Sequence, residues 1–434
     1  MKAVRTLAAA TLVAAAVWTP PCASAVTPPP VDENLLPTPA PPGPPQPTTR
    51  FGDCVTADPT ASDTGGQPGQ AAGQDLGAVW ALTRGAGQTV AVIDTGVARH
   101  RRLPHLRAGG DYVSSGDGTA DCDGHGTAVA AIIGAAPEPA GNGFTGIAPD
   151  VSILAIRQSS NKFRADNDLA GSGYGDVATL AAAVRTAADL GATVINISSV
   201  ACLPADAALD DRALGAALAY AVDVKNVVVV TAAGNTDGPG QCPAGNPDAS
   251  SDWADVAVVA SPAWYDDYVL TVASVGPGGL ASPFTLAGPW VDVAAPGEDV
   301  VSLAAAGDDT VRVSGTSYAA PTVSAVAALV RARFPQLSAR QVMRRIEDTA
   351  RHPGSGWNAE VGHGLVDALA AVSGGSSPHP MPLTAPLTVA PAAPVTDTGA
   401  RDTALRVAGV CVALSVAVAA GARSRRRHEP VPGD

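Results

Sequence analysis

Short apolar runs alternate with helix-like segments through most of the chain. The runs predict β-strands at 89–93, 151–156, 193–198, 227–232, 269–275 and 291–294. The segments around them predict helices at 74–83, 128–133, 177–190, 205–224, 322–333 and 339–349. Strands that alternate with helices at this spacing are typical of βαβ units, in which a parallel sheet carries helices on both faces. The pattern therefore predicts an α/β fold.

Ser317 lies in the segment Val-Ser-Gly-Thr-Ser-Tyr-Ala-Ala-Pro, at the start of a predicted helix. Backbone N–H groups at a helix start can stabilise an anion, and Gly315 lets the chain bend sharply and a substrate backbone approach closely. A serine hydroxyl is a weak nucleophile until a base takes its proton and a carboxylate orients that base. A histidine and an acid are therefore expected elsewhere in the chain.

Two other motifs supply these groups, and a third supplies an amide. Asp94, in Asp-Thr-Gly, directly follows a predicted buried strand, where open α/β sheets place their chemistry. His125, in Asp-Gly-His-Gly-Thr, opens a helix of small residues. Asn235, in Ala-Ala-Gly-Asn, follows another strand and can donate a hydrogen bond to the oxyanion of an acyl-transfer intermediate. Taken singly, each has a structural alternative as a cap, a turn residue or a hydrogen-bonding group at a helix start.

These four motifs, in this order, resemble the subtilisin family of serine proteases over about residues 75–372. The resemblance implies a three-layer subtilisin-like fold with a mostly parallel, doubly wound sheet. It implies that Asp94 orients the base, that His125 is the general base and acid, and that Ser317 is the nucleophile. Asn235 would be the side-chain donor to the oxyanion. No cofactor and no metal are expected, since the family usually needs no metal for its chemistry.

The same resemblance implies a substrate cleft. The residues expected to bind substrate are Ser198, Ser199, Val200, Ala233 and Gly234. The first three would form one edge of the cleft and pair with the substrate backbone as an added strand. Loops at 159–176 and 236–255 are long for connections and are expected to shape the cleft.

Composition limits the choice of partners. Of the 434 residues, 46% are apolar, which is ample for one large core, and only 4% are aromatic, so alanine, valine and leucine must fill it. The formal net charge is −13. Because phosphate binding needs a positive surface, this balance argues against a nucleic-acid partner.

Both ends carry segments typical of an exported membrane protein. Residues 1–25 combine early basic residues, an apolar run and Ala23-Ser24-Ala25, which indicates a cleaved secretory signal. An uncleaved anchor is the alternative. Residues 403–422 are apolar and precede the basic tail 423–434, which predicts a transmembrane helix, a cytoplasmic tail and a catalytic part outside the cytoplasm. A buried core helix is the alternative here.

Two proline-rich segments flank the predicted peptidase domain, 74–372. Residues 26–73 show no pattern of alternating strands and helices, so the folded inhibitory pro-domain of secreted subtilisin-like enzymes is expected to be missing. This N-terminal extension is interpreted as extended chain, a spacer or else a partner-binding segment. Residues 373–402 are rich in proline, serine, threonine and alanine and are interpreted as a passive stalk.

Four cysteines lie between the two terminal hydrophobic segments: Cys54, Cys122, Cys202 and Cys242. An even number in an exported chain predicts two disulfide bonds, in one of three pairings. Of these we favour Cys54–Cys122 with Cys202–Cys242. The first would tie the N-terminal extension across the active-site face, and the second would join two cleft loops. A metal site at Cys122 and His125 would need further ligands that the sequence does not offer.

The cysteine spacing, the segment 196–202 and the stalk with its membrane helix resemble the mycosins, membrane-anchored subtilisin-like proteases of actinobacterial type VII secretion systems. This resemblance implies a serine endopeptidase that cleaves a secreted protein and also stabilises the secretion complex. Its partners would be that substrate, membrane components of the secretion system, and the cell membrane through the C-terminal helix. The alternative is a mainly structural subunit with dispensable proteolysis. A third alternative, a general degradative secreted protease, is disfavoured by the predicted membrane helix.

Overall fold

A seven-stranded parallel sheet lies at the centre of the computed structural model. Its strands, in spatial order, are β3 (Leu106–Asp111), β4 (Ser152–Arg157), β2 (Thr89–Asp94), β6 (Val194–Ile197), β8 (Val228–Ala232), β10 (Leu270–Val275) and β11 (Val293–Pro296). The central strands β6 and β8 are buried at every position, as expected for a sheet covered on both faces. The predicted parallel, doubly wound sheet is confirmed.

Helices cover the sheet on both sides. They are α1 (Leu76–Leu82), α2 (His125–Gly134), α3 (Val177–Asp189), α4 (Arg212–Ala219), α5 (Thr316–Arg333), α6 (Ala339–Thr349) and α7 (Ala368–Val372). On one face α2 packs against α5, and on the other α3 packs against α4. The chain runs from β2 to β3 and β4 on one side and later to β6 and β8 on the other. Ligand sites in such sheets lie where the strand order reverses, beyond the carboxyl ends of the strands. Here that point lies between β2 and β6.

Two predicted helices have different limits in the structure. The helix predicted at 205–224 begins only at Arg212. The chain leaves β7 (Ala201–Pro204), which pairs antiparallel with β9 (Val258–Ser261), through a turn in which the N–H of Ala205 donates to the carbonyl of Ala257 and that of Ala207 to the carbonyl of Pro204. The end of the predicted helix is a π-helical segment, Tyr220–Val224. The helix predicted at 322–333 begins earlier, at Thr316, and contains Pro321. The last small sheet pairs β12 (Val300–Leu303) with β13 (Thr310–Val313).

The N-terminal extension packs on the body of the protein. Its strand β1 (Thr48–Arg50) pairs antiparallel with β5 (Phe163–Ala165), and Val26, Val31 and Leu36 pack against the core. The guanidinium of Arg185 donates to a carbonyl of this segment, that of Pro37, at 3.1 Å. The interpretation as a spacer is therefore wrong for residues 26–55. Extended, proline-rich chain presents its carbonyls and its few apolar side chains to a neighbouring surface, and here the body of the protein supplies that surface.

The structure describes residues 26–55, 74–138, 144–168, 170–171, 173–207, 209–236, 241–247, 252–307 and 309–374. The predicted signal segment, transmembrane helix and tail lie outside these residues, as does nearly all of the predicted stalk. Within the described ranges, no helix combines the length and the apolar character needed to cross a membrane.

Candidate active site

Asp94 and His125 form a hydrogen-bonded pair. Asp94 is the last residue of β2 and is buried, and His125 is the first residue of α2. His125 Nδ1 lies 2.7 Å from Asp94 Oδ1, which also accepts the backbone N–H of Thr95 at 2.7 Å. Because Nδ1 is engaged with the carboxylate, Nε2 is the ring nitrogen that can exchange a proton with a third group.

Close backbone contact explains the glycines beside these two residues. A Cβ atom on Gly126 would lie 2.1 Å from the carbonyl oxygen of Gly96, and one on Gly96 would lie 2.1 Å from the carbonyl oxygen of Ala120. No side chain can occupy either position. Gly126 lets the first turn of α2 approach the chain after β2, and Gly96 lets that chain approach the loop before α2. The first of these approaches brings Asp94 to His125.

Three carboxylates set the charge around His125. Burial by itself would lower the pKa of the imidazole. The negative charge of Asp94 and the hydrogen bond to it, together with the charges of Asp121 and Asp123, outweigh burial and raise the pKa above its usual value. The neutral imidazole, which is the form that can accept a proton, therefore predominates only at a higher pH than for a free histidine.

Asp121, which the sequence analysis did not single out, organises the turn before His125. One carboxylate oxygen accepts from Thr95 Oγ1 at 2.9 Å and from the N–H of Gly124 at 2.8 Å. The other accepts from the N–H and the hydroxyl of Thr127 at 2.9 and 2.7 Å. Burial raises the pKa of this carboxyl group. In the sequence, Asp121 lies two residues before a turn-forming Asp-Gly pair. Aspartate side chains readily accept hydrogen bonds from backbone N–H groups just ahead of them, so this pattern is the signal that could have identified its role.

Ser317 is the second residue of α5 and is 8% exposed. The ring of Tyr318, the next residue, lies 5.0 Å from the His125 ring between centroids, so the start of α5 meets the start of α2. Gly315 has a φ of 149°, which L side chains rarely adopt. A Cβ atom there would lie 3.2 Å from Ser317 Oγ and 3.7 Å from Asn235 Nδ2. The hydroxyl and the amide nitrogen thus lie on the same side of Gly315.

The side-chain amide of Asn235 is held in one orientation. Its Oδ1 accepts from the N–H of Thr316 at 2.9 Å and from the Thr316 hydroxyl at 3.0 Å. That hydroxyl also accepts the N–H of Gly234 at 3.2 Å. Because the amide oxygen is committed to Thr316, Nδ2 is the end that lies beside Ser317, where it can donate to a developing oxyanion.

A cleft of about 690 Å³ extends over these residues. Asp94, His125, Asn235 and Ser317 all line it, and Ser199 and Val200 line one edge. Both loops that were expected to shape the cleft contribute to its walls, for example through Lys162, Tyr174, Gln241 and Cys242.

Two of the residues expected to bind substrate, Ala233 and Gly234, do not line the cleft, and the hydroxyl of a third, Ser198, is bonded inside the protein. Ser198 borders the cleft, but its hydroxyl donates to the carbonyl of Ser317 at 2.8 Å and accepts from Asn196 Nδ2 at 2.8 Å. Ala233 is fully buried, and both backbone polar groups of Gly234 are bonded inside the protein. Ala233 and Gly234 therefore lie beneath the cleft and support the chain that leads to Asn235.

Disulfide bonds join Cys54 to Cys122 and Cys202 to Cys242. The second packs against the chain just before Asn235, since a Cβ atom on Gly234 would lie 3.0 Å from Cys242 Sγ. The first ties the N-terminal extension to the loop that precedes His125. In the part of the chain that the structure describes, no group of three or more histidine, cysteine, aspartate or glutamate side chains is placed to hold a metal ion.

Comparison with known proteins gives concordant matches. The subtilase family (peptidase S8) matches residues 85–364. Mycosin-4 of Mycobacterium tuberculosis is 57% identical over 425 residues, which span 94% of this chain and 93% of that protein. The solved MycP3 protease from the type VII (ESX-3) secretion system has a TM-score of 0.74 at 44% identity, covering 81% of this chain and 100% of the other. A chain of the intact ESX-5 inner membrane complex has a TM-score of 0.75 at 38% identity, covering 92% and 100%.

Proposed function

The chain belongs to the subtilase family of serine peptidases and, within it, to the mycosins, and from this premise we propose that it is the serine endopeptidase of a type VII secretion system and cleaves a secreted protein. Its α/β fold is accordingly subtilisin-like.

Ser317, His125 and Asp94 act as nucleophile, base and orienting acid. Ser317 Oγ attacks the scissile carbonyl while His125 Nε2 takes the hydroxyl proton, and the same imidazole then protonates the leaving amine. The acyl-enzyme is hydrolysed by the reverse sequence, with water in place of the amine. Asp94 keeps the proton on Nδ1 and stabilises the imidazolium that forms at each step.

Asn235 stabilises the tetrahedral intermediate. Its Nδ2 donates to the oxyanion from a position already set by the bonds between its Oδ1 and Thr316. A donor fixed before the reaction needs no reorganisation as charge develops, which makes such groups effective in catalysis. The cleft edge at Ser199 and Val200, both half-buried, supports an extended substrate segment that pairs with it as an added strand.

The observation that carries this proposal is the convergence of the Asp94–His125 pair, the Ser317 hydroxyl and the Asn235 amide on one cleft. Intact-mass analysis after treatment with a serine-reactive fluorophosphonate tests it. We expect a single adduct on the oxidised protein, absent from Ser317→Ala and retained by Ser199→Ala, whose serine also lines the cleft. Folded protein that forms no adduct, or that is labelled equally in Ser317→Ala, would overturn the proposal.

A second role, stabilisation of the secretion complex, is supported by the likeness to a chain of the ESX-5 inner membrane complex over 92% of this chain. In this proposal residues 1–25 direct export, 403–422 anchor the protein in the membrane, and 423–434 lie in the cytoplasm.

Membrane complexes can be compared on native gels in cells expressing the wild-type chain, Ser317→Ala, or a chain ending at residue 402. We expect assembly with Ser317→Ala and loss of assembly with the truncated chain. Loss with Ser317→Ala would show that the two roles are not separable.

A further inference from the structure

Val55 brings the N-terminal extension into the substrate cleft. It lines the same cleft as His125, and its side chain is 48% exposed. A Cβ atom built on Gly124 would lie 3.6 Å from Val55 Cγ2, so the valine lies over the residue that precedes the histidine. A residue more than sixty positions before His125 in the chain therefore forms part of the wall beside it.

Covalent and hydrogen bonds hold Val55 at this place. The preceding residue, Cys54, is bonded to Cys122, and the N–H of Val55 donates to the carbonyl of Cys122 at 2.9 Å. On the other side, the N–H groups of Phe51 and Gly52 donate to the carbonyl of Lys162, next to the β1–β5 pairing. Because Lys162 also lines the cleft, the extension is fastened to two neighbouring parts of one cleft wall.

This segment exposes two apolar side chains, on either side of the exposed Asp53. Among the described residues, six large apolar side chains are exposed, and two of them, Phe51 and Val55, lie in this short stretch. An apolar side chain fixed in an exposed position beside a binding cleft is suited to be covered by a ligand. A polypeptide substrate with an apolar side chain close to its scissile bond has the matching chemistry.

We propose that Val55 is a specificity-determining residue of the peptidase and contacts a small or apolar substrate side chain on the His125 side of the scissile bond. The N-terminal extension is then part of the substrate-binding site, held in register by Cys54–Cys122. This inference rests on the proposed peptidase function of the cleft.

The test compares cleavage preferences of full-length variants in detergent, using a defined mixture of synthetic peptides that varies the residues around the scissile bond, with products identified by mass spectrometry. Val55→Asp should lower kcat/KM about tenfold for peptides with an apolar residue at the position that contacts Val55, at the low end of the roughly 10–200-fold that one methylene in a hydrophobic pocket is worth. The kcat/KM for peptides with a basic residue at that position should not fall. Val55→Leu should keep the apolar preference. Val224→Asp, at a valine that is 69% exposed and does not line the cleft, should match the wild type.

Fluorophosphonate labelling separates the possible failures. A wild-type chain that neither labels nor cleaves would overturn the proposed function and this inference with it. An active wild type whose order of preference is unchanged in Val55→Asp would overturn the inference alone. Loss of labelling in Val55→Asp would assign Val55 to assembly of the triad, and this too would contradict a role in specificity.

Discussion

The hydroxyl of Ser198 donates a hydrogen bond of 2.8 Å to the backbone carbonyl of Ser317. In a regular helix this carbonyl would accept the N–H four residues later, but that residue is Pro321, which has none. Ser198 thus satisfies a carbonyl that the proline leaves free. Ser198 is itself held by Asn196, whose Oδ1 accepts from Ser324 on the same helix. The end of β6 and the start of α5 are in this way joined directly behind the proposed nucleophile.

Ser198→Ala should therefore destabilise the protein and slow its reaction. The buried Ser317 carbonyl would lose its partner, which costs about 1–3 kcal/mol. The proposed nucleophile would also be held less firmly. Urea unfolding measures the first effect, and the rate of fluorophosphonate labelling measures the second. Ser199→Ala is the matched control, since its side chain lies on the cleft edge, and it should leave unfolding unchanged. Equal behaviour of the two variants would show that the Ser198 bond has no supporting role.

The sequence predicted the parts of the site that depend on local pattern. Asp94, His125, Ser317 and Asn235 each lie at the end of a strand or the start of a helix, and periodicity and short motifs locate such positions. Parallel strands then bring their carboxyl ends to one edge of the sheet, so the residues meet without any further information.

The supporting contacts could not be predicted in this way, because they join residues far apart in the chain. Nothing near Ser198 indicates that its hydroxyl turns to Ser317 and away from substrate. Asp121 resembles an ordinary turn residue until Thr95, from another strand end, is placed beside it. The packing of residues 26–55 depends on a surface formed by later residues, whereas a proline-rich composition alone indicates only extended chain.

Asn235→Asp should abolish most catalysis while leaving the fold intact. Aspartate keeps an oxygen to accept from the N–H and hydroxyl of Thr316 but replaces the Nδ2 donor with a negatively charged acceptor beside the oxyanion. Removing a comparable donor lowers kcat by about 10²–10³. Steady-state kinetics on a cleaved peptide should show a fall in kcat with little change in KM, and thermal unfolding should remain close to that of the wild type. A variant with kcat within a few-fold of the wild type would exclude Asn235 as the oxyanion donor.

Gly126→Ala should disrupt the approach of Asp94 to His125. The added methyl group would lie 2.1 Å from the Gly96 carbonyl oxygen, a backbone atom that cannot rotate away. We expect a loss of about 3 kcal/mol in the free energy of unfolding, at the upper end of overpacking costs, together with slower labelling. Gly354→Ala is the control, since nothing lies within 4 Å of a Cβ atom there. An alanine tolerated at both positions would refute the close approach.

The pH dependence of activity should respond to the carboxylates around His125. The charges of Asp94, Asp121 and Asp123 raise its pKa, so the acid limb of kcat/KM should have its midpoint above the usual histidine value of about 6.5. Asp123→Asn removes one of these charges and leaves an oxygen to accept from Ser160 or Asn161.

The sign of the shift then follows from the charge removed. With less negative charge nearby, the imidazolium of His125 is stabilised less, its pKa falls, and the acid limb of the Asp123→Asn variant moves to lower pH. Asp117→Asn, at a carboxylate that is bonded to Thr119 and Arg99 and is not among the charges that raise the pKa of His125, should leave the limb in place. Profiles measured at constant ionic strength make this comparison, because screening by salt alters such interactions. A limb that moves to higher pH in Asp123→Asn, or that moves equally in both variants, would contradict this account of the charge at the site.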